Sequence, residues 1–130
     1  MRTLTTQMRL RRLLRAQAEY QQRLRGEGPV STLAAAGSGR LLHLLADVRA
    51  AWGREGEGLA VPDLRAHVSR SLAAMGAAAA AMAVPGADLA RLDAEFRDVG
   101  LPLLFFLRGL DDSEAAVLAE LGGRSLLRSA

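Results

Sequence analysis

Hydrophobic residues recur at intervals of three and four along most of the chain, a pattern typical of helices with one buried side. Residues 3–25 predict the first such helix, because its leucines fall on one side at 100° per residue. These leucines are Leu10, Leu13, Leu14 and Leu24. Thr3 or Thr5 can cap its start, and Gly26, Gly28 and Pro29 predict its end.

A second helical region is predicted over residues 31–53. Its core-facing stripe consists of Leu41, Leu44, Leu45, Val48 and Trp52. The sequence Gly37-Ser38-Gly39 predicts an interruption, with Ser38 as a new N-cap. Such a glycine pair before a helix can also seat an anion, but a hinge is the simpler interpretation. No strand precedes it, and the Lys-Ser/Thr of a phosphate-binding loop is absent.

The remaining chain predicts shorter helices separated by glycine and proline. Their predicted bounds are Pro62–Ala83, Asp88–Val99 with Gly100 as the stop, the apolar run Leu101–Leu110, and Asp111–Leu121 before Gly122-Gly123. No segment alternates polar and β-branched residues as a strand does. We therefore expect an all-α fold: a single domain over residues 1–130, built as a compact bundle of five or six helices with short loops and a frayed tail at 124–130.

Composition narrows the class of protein further. The chain has 130 residues, of which 50% are hydrophobic and 24% charged, so a globular core is expected. The absence of cysteine excludes disulfides, thiolate nucleophiles and cysteine-based zinc sites. The arginine-rich start is not followed by an apolar block, so we expect a cytoplasmic location. No motif calls for a cofactor.

Charge is distributed unevenly along the chain. All 17 basic residues are arginines, and seven of them lie in residues 1–25 beside the single acid Glu19. The predicted first helix is therefore a basic amphipathic helix whose outer side presents Arg9, Arg12, Arg15 and Arg23. Guanidinium groups suit phosphates, so this row predicts contact with RNA, DNA or an acidic protein surface. A solvated helix face in an arginine-biased proteome is the alternative.

Two pairs of polar residues are candidate metal ligands or acid–base groups. His43 and Asp47 are four residues apart, as are Asp63 and His67, so each pair lies on one side of its helix. If the two helices are antiparallel neighbours, the four side chains can converge. Two unrelated polar pairs at the solvent edge are the simpler interpretation, and we expect no metal.

The apolar run near the C-terminus is a candidate interface. It contains Leu103, Leu104, Phe105, Phe106 and Leu107. In a small bundle these five side chains cannot all point inward. We therefore expect part of the run to lie between subunits of a homo- or hetero-oligomer.

Residues 41–98 resemble the MazG-like superfamily of all-α nucleotide pyrophosphohydrolases. The stretch Leu41–Val48 is similar to their second helix, and Asp63-Leu64-Arg65 and Asp88-Leu89 are similar to the starts of the next two. The resemblance implies an oligomeric bundle. The family binds Mg²⁺ through several acids, however, and the matching positions here are Ala46, Asp47, Ala50, His67 and Arg70. With one carboxylate left, the resemblance does not imply the hydrolysis.

These observations favour a non-catalytic helical subunit of a larger assembly. Its concrete form is a small subunit that contacts RNA or DNA in a ribonucleoprotein complex of the CRISPR-effector type, through the arginines of the first helix. One alternative is a protein-only assembly module or chaperone, such as a phage or secretion component. The other is a divergent or inactive MazG-like hydrolase that uses Asp47, His43, Asp63 and His67.

Overall fold

Four α-helices and one short 3-10 turn form the secondary structure of the described chain, and no strand occurs in it. The computed structural model describes the backbone of residues 3–26, 31–59 and 61–129, and the side chains of residues 3–24, 35–59 and 61–112. The helices are α1 (Leu4–Gly26), α2 (Ser31–Glu55), α3 (Pro62–Ala81) and α4 (Leu89–Ser129), with the turn at Gly56–Gly58. The all-α class is confirmed, but the helices are four rather than five or six. The predicted stops at Gly28 and Pro29 and the side chains of the tail 124–130 lie outside the described residues.

Consecutive helices run antiparallel, and α4 packs against α1 to close the bundle. Thr6 at the start of α1 donates to Glu55 at the end of α2. Ser38 near the start of α2 donates its hydroxyl proton to the Ala79 carbonyl near the end of α3, at 2.6 Å. Short connections between helices favour this up-and-down order.

The core lies between the four helices and is built from leucines, alanines, valines and methionines together with Tyr20, Trp52 and Phe96. Every side chain of the predicted stripe on α2 is buried. Helix α3 begins at the predicted proline, which occupies the first turn where its missing N–H costs nothing. The local patterns of α1 and α3 were therefore sufficient to predict these two helices.

Helix α2 is continuous, so the interruption predicted at Gly37-Ser38-Gly39 is wrong. The Tyr20 ring of α1 lies directly against Gly37, where any Cβ would overlap it. Ser38 is buried inside the continuous helix and bonds to α3 instead of capping a new helix. The glycine and serine allow close packing of α2 between two neighbours, and this packing outweighs their low helix propensity.

Helix α4 is also continuous, so the stop predicted at Gly100 is wrong, and the helix passes Gly122-Gly123 as well. A Cβ at Gly100 would lie 2.6 Å from Leu14 Cδ2 and 2.9 Å from Met75 Cε. The glycine therefore marks a close approach of three helices. Pro102 lies inside α4 and costs it a backbone hydrogen bond. The buried leucines that follow offset this cost through tertiary packing.

Asp111 does not cap a separate helix, as the sequence predicted, but lies buried inside α4. Its carboxylate accepts the Thr3 backbone N–H at 3.2 Å from each oxygen and the Thr3 hydroxyl at 2.9 Å. The Gln7 side-chain amide donates to the same carboxylate at 2.8 Å. This one acid thus fixes Thr3, the residue directly before α1, against α4.

Glu55 binds the next free donors of α1. Its carboxylate accepts the backbone N–H of Thr5 at 3.1 Å and that of Thr6 at 2.6 Å. These donors have no partner within the helix, and a negative charge beside them also offsets the helix dipole. Because the first turn of α1 contains no acid, α2 and α4 supply the charge that its N-terminus lacks.

We expect Gly37→Ala to destabilise the protein by about 2 kcal/mol, because the new methyl group overlaps the Tyr20 ring. Gly39→Ala is the matched control, since nothing lies within 4 Å of its Cβ position. That substitution is expected to stabilise α2 by about 0.5–1 kcal/mol. Urea unfolding of both variants measures the difference. Equal midpoints would contradict the contact at Gly37.

We expect Asp111→Ala to cost about 2–4 kcal/mol, because it leaves the Thr3 and Gln7 donors buried without an acceptor. Asp112→Ala removes the same charge from the exposed neighbouring residue and is expected to change stability by less than about 0.5 kcal/mol. Chemical unfolding at one pH compares the two. A similar effect of both substitutions would rule out a structural role for the buried carboxylate.

Candidate functional site

The four arginines selected from the sequence do not share one environment. Arg12, Arg15 and Arg23 are exposed on the outer side of α1. Arg9 is half-buried, and its Nη1 donates to the Asp47 carbonyl of α2 at 2.9 Å. Arg9 therefore ties α1 to α2, whereas the other three guanidinium groups face solvent.

Helix α2 adds an arginine to this surface. Arg23 and Arg40 both line a cavity of about 360 Å³ between α1 and α2. Its inner wall includes Tyr20 and Gly37, and Glu19 is the one acid in the lining. Burial raises the pKa of Tyr20, so its hydroxyl stays neutral at physiological pH. The cavity mouth thus carries two cations and one anion.

Arg12 extends the basic surface along α1. It precedes Arg23 by eleven residues, which is close to three helical turns, so both lie on the same side about 16 Å apart. We call Arg12, Arg23 and Arg40 the α1/α2 arginine face. Arg15 lies beside this face, about 60° further round α1 on the side of α4.

The α1/α2 arginine face is free to bind a ligand. None of its three guanidinium groups has a hydrogen bond or ion pair with another described residue. The described residues include two arginine–carboxylate pairs, Arg91 with Glu95 and Arg97 with Asp93, and both are on α4. Unpaired arginines of this kind can bind phosphate or carboxylate oxygens without first breaking a salt bridge.

The two pairs of candidate metal ligands, His43 with Asp47 on α2 and Asp63 with His67 on α3, lie beside different helices. Asp47 lies on the side of α2 that meets α1, where its carbonyl accepts from Arg9. His67 of α3 instead meets Phe106 of α4 edge-on, with ring centroids 4.8 Å apart. Across the described side chains, no three His, Asp or Glu residues come close enough to hold a metal ion. The structure therefore does not bring His43, Asp47, Asp63 and His67 together.

The apolar run of α4 divides between core and surface. Leu103, Leu104 and Leu107 are buried inside the chain, so they are not available to another subunit. Phe106 is half-buried against the core, and Phe105 is 62% exposed. Of the five residues of the predicted interface, only Phe105 is thus exposed. The division follows helical periodicity, which turns residues 103, 104 and 107 to one side.

The sequence reasoning missed four residues that border these surfaces. Arg40 directly follows the hinge predicted at Gly37-Ser38-Gly39, and nothing in its local sequence places it beside Arg23. Leu4, Met8 and Leu101 are exposed apolar residues. The exposure of Leu4 and Met8 could have been predicted from the sequence. These two residues are four apart, so they share one side of α1, and they lie outside its leucine stripe.

No protein-family model, curated protein or solved structure matches the chain. Within the described residues, no helix is both long enough and apolar enough to cross a lipid bilayer.

We expect Arg9→Gln to lower stability by about 1 kcal/mol, because it removes the half-buried bond to the Asp47 carbonyl. Arg12→Gln is the matched control. It removes the same charge from an exposed side chain and is expected to change stability by less than about 0.5 kcal/mol. Thermal and urea unfolding distinguish the two. If both variants unfold alike, Arg9 is not an anchor between α1 and α2.

Proposed function

We propose that the protein is a non-catalytic helical subunit of a larger assembly, and that it contacts a polyanion through the α1/α2 arginine face. RNA or DNA within a ribonucleoprotein complex is the polyanion we favour, and a small subunit of a CRISPR-type effector is the concrete form. The proposal includes the cytoplasmic location expected from the sequence.

One observation carries this proposal. The exposed arginines of α1 are joined by Arg40 of α2, so guanidinium groups from two helices share one side of the bundle without carboxylate partners in the described chain. Charges at spacings of this order can follow a nucleic-acid backbone, whose phosphates repeat along the strand. Arg15 continues the basic surface round α1.

Chemistry argues against the enzymatic alternative. A metal-dependent nucleotide hydrolase needs several hard oxygen ligands around Mg²⁺. Of the positions that match the MazG-like metal acids, only Asp47 is a carboxylate, and the described side chains offer no acidic cluster. We therefore propose binding without catalysis and no cofactor. The MazG-like resemblance stays a prediction about the scaffold.

Fluorescence anisotropy with labelled single-stranded RNA, single-stranded DNA and duplex DNA tests the proposal across a salt series. We expect binding at low salt that weakens steeply as salt rises, because each neutralised phosphate releases counterions. The triple variant R12Q/R23Q/R40Q is expected to reduce the slope of log K against log salt by about 2–3, in line with three lost phosphate contacts.

The control variant R65Q/R70Q/R91Q removes three exposed arginines from α3 and α4. It lowers the net charge equally but leaves the α1/α2 arginine face intact, so its slope is expected to match that of the unmodified protein. Equal losses in both variants would mean that total charge, not this face, binds the probe. No binding at low salt would overturn the proposal for the isolated chain.

A further inference from the structure

Four exposed apolar side chains lie on α1 and α4, outside the α1/α2 arginine face. They are Leu4, Met8, Leu101 and Phe105, with exposed fractions of 44%, 58%, 40% and 62%. They are four of the seven large hydrophobic residues that are exposed in the described chain. Exposed apolar residues scattered singly need no explanation, but a group on one side indicates an interaction surface.

The register of α1 against α4 brings two of these residues to the same level. Thr3 is bonded to Asp111 at one contact, and Leu14 meets Gly100 at the other. Residue 8 is midway between the two contacts on α1, and residue 105 is midway between them on α4. Because both helices rise equally per residue, Met8 and Phe105 lie level with each other.

Helix handedness puts all four side chains on the same side of the helix pair. Leu4 directly follows a residue that contacts α4, and Leu101 directly follows one that contacts α1. In two antiparallel right-handed helices, a step of one residue rotates both side chains to the same side of the pair. Met8 and Phe105 follow one turn later, so the four form one α1/α4 apolar patch.

Arginines run through the middle of this patch. Arg11 follows Met8 by three residues and is exposed on the same side of α1, whereas Arg15 lies one turn further along, near the level of Asp98 on α4. On α4, the guanidinium carbon of Arg108 lies 5.9 Å from the centre of the Phe105 ring. The acidic residues on this side lie beyond the ends of the patch: Asp98 and Asp112 on α4, and Glu19, eleven residues after Met8, on α1. The patch therefore combines apolar anchors with central positive charge.

We propose that the α1/α4 apolar patch binds an acidic amphipathic helix of a partner protein. Apolar side chains of that helix would cover Met8 and Phe105, and its carboxylates would pair with Arg11 and Arg108. Charge complementarity selects this occupant over a second copy of the chain. A two-fold contact through the patch would bring its central arginines against their own counterparts.

This proposal depends on other residues than polyanion binding does, although the two surfaces adjoin on α1, where Met8 and Arg12 are four residues apart. The partner helix contacts Met8 and Phe105, whereas the polyanion contacts Arg12, Arg23 and Arg40. Each interaction can therefore fail while the other survives. Together they describe a subunit that binds a neighbouring protein through α1 and α4 and a nucleic acid through α1 and α2.

The test uses two labelled synthetic peptides of about 15 residues that carry leucine and phenylalanine on one helical side. One peptide has glutamate on its other side, and the matched peptide has lysine there. We expect the full-length protein to bind the glutamate peptide at least tenfold more tightly than the lysine peptide. M8A/F105A is expected to lose at least tenfold in affinity for the glutamate peptide.

The control variant V61A/V84A truncates two exposed hydrophobic residues away from α1 and α4 and is expected to keep full affinity. RNA binding is measured in parallel: M8A/F105A should retain it, and R23Q/R40Q, which leaves Arg12 beside Met8 in place, should retain the peptide. Equal affinity for both peptides, or an unchanged M8A/F105A variant, would overturn the proposal. Self-association abolished by M8A/F105A, or binding to phosphatidylserine vesicles in place of the peptide, would overturn it too.

Discussion

The position of α1 depends on carboxylates that belong to other helices. Asp111 of α4 and Glu55 of α2 accept the backbone N–H groups at the start of α1, which has no acid of its own there. Because free N–H groups and the positive end of a helix dipole attract anions, these two acids determine where α1 begins and which helices it lies between. Further along α1, Gln17 donates to the buried carboxylate of Asp93, so α4 holds α1 at a second point.

This anchoring explains why α1 presents arginine outward on both flanks. Its polar anchors and leucines occupy the inner side, and the remaining positions face solvent beside α2 or beside α4. On the α2 flank, Arg23 meets a second arginine at the mouth of a cavity. On the α4 flank, arginines alternate with apolar side chains around the exposed Phe105 ring. Helix α1 therefore borders two surfaces of different chemistry. They differ because α2 adds an arginine to one, whereas α4 adds apolar side chains to the other.

The local signals in the sequence were enough for α1 and α3, whose leucine periodicity and first-turn proline act within a few residues. They failed at Gly37, Gly100 and Asp111, each of which looks like a helix terminator or cap when read locally. Each of the three instead makes a contact with α1 or its start. Gly37 packs against Tyr20, Gly100 packs against Leu14, and Asp111 accepts a hydrogen bond from Thr3. A residue that breaks helices on its own is tolerated inside one when tertiary packing depends on it, and this dependence is invisible to periodicity.

The candidate site, like the fold, could be predicted from the sequence only in part. Residue type and helical spacing identified the arginines of α1, but they could not tell Arg9 from Arg12, because the difference is a carbonyl on α2. Spacing also paired His43 with Asp47 and Asp63 with His67, yet it carried no information on which neighbour each pair faces. The same limit applies to Phe105, which lies among buried leucines in the sequence and is exposed in the fold. A surface shared by two helices is a property of their register, and here that register is held by the carboxylates at the start of α1. Any change that releases those carboxylates would therefore disturb both surfaces of α1 together, although neither surface contains them.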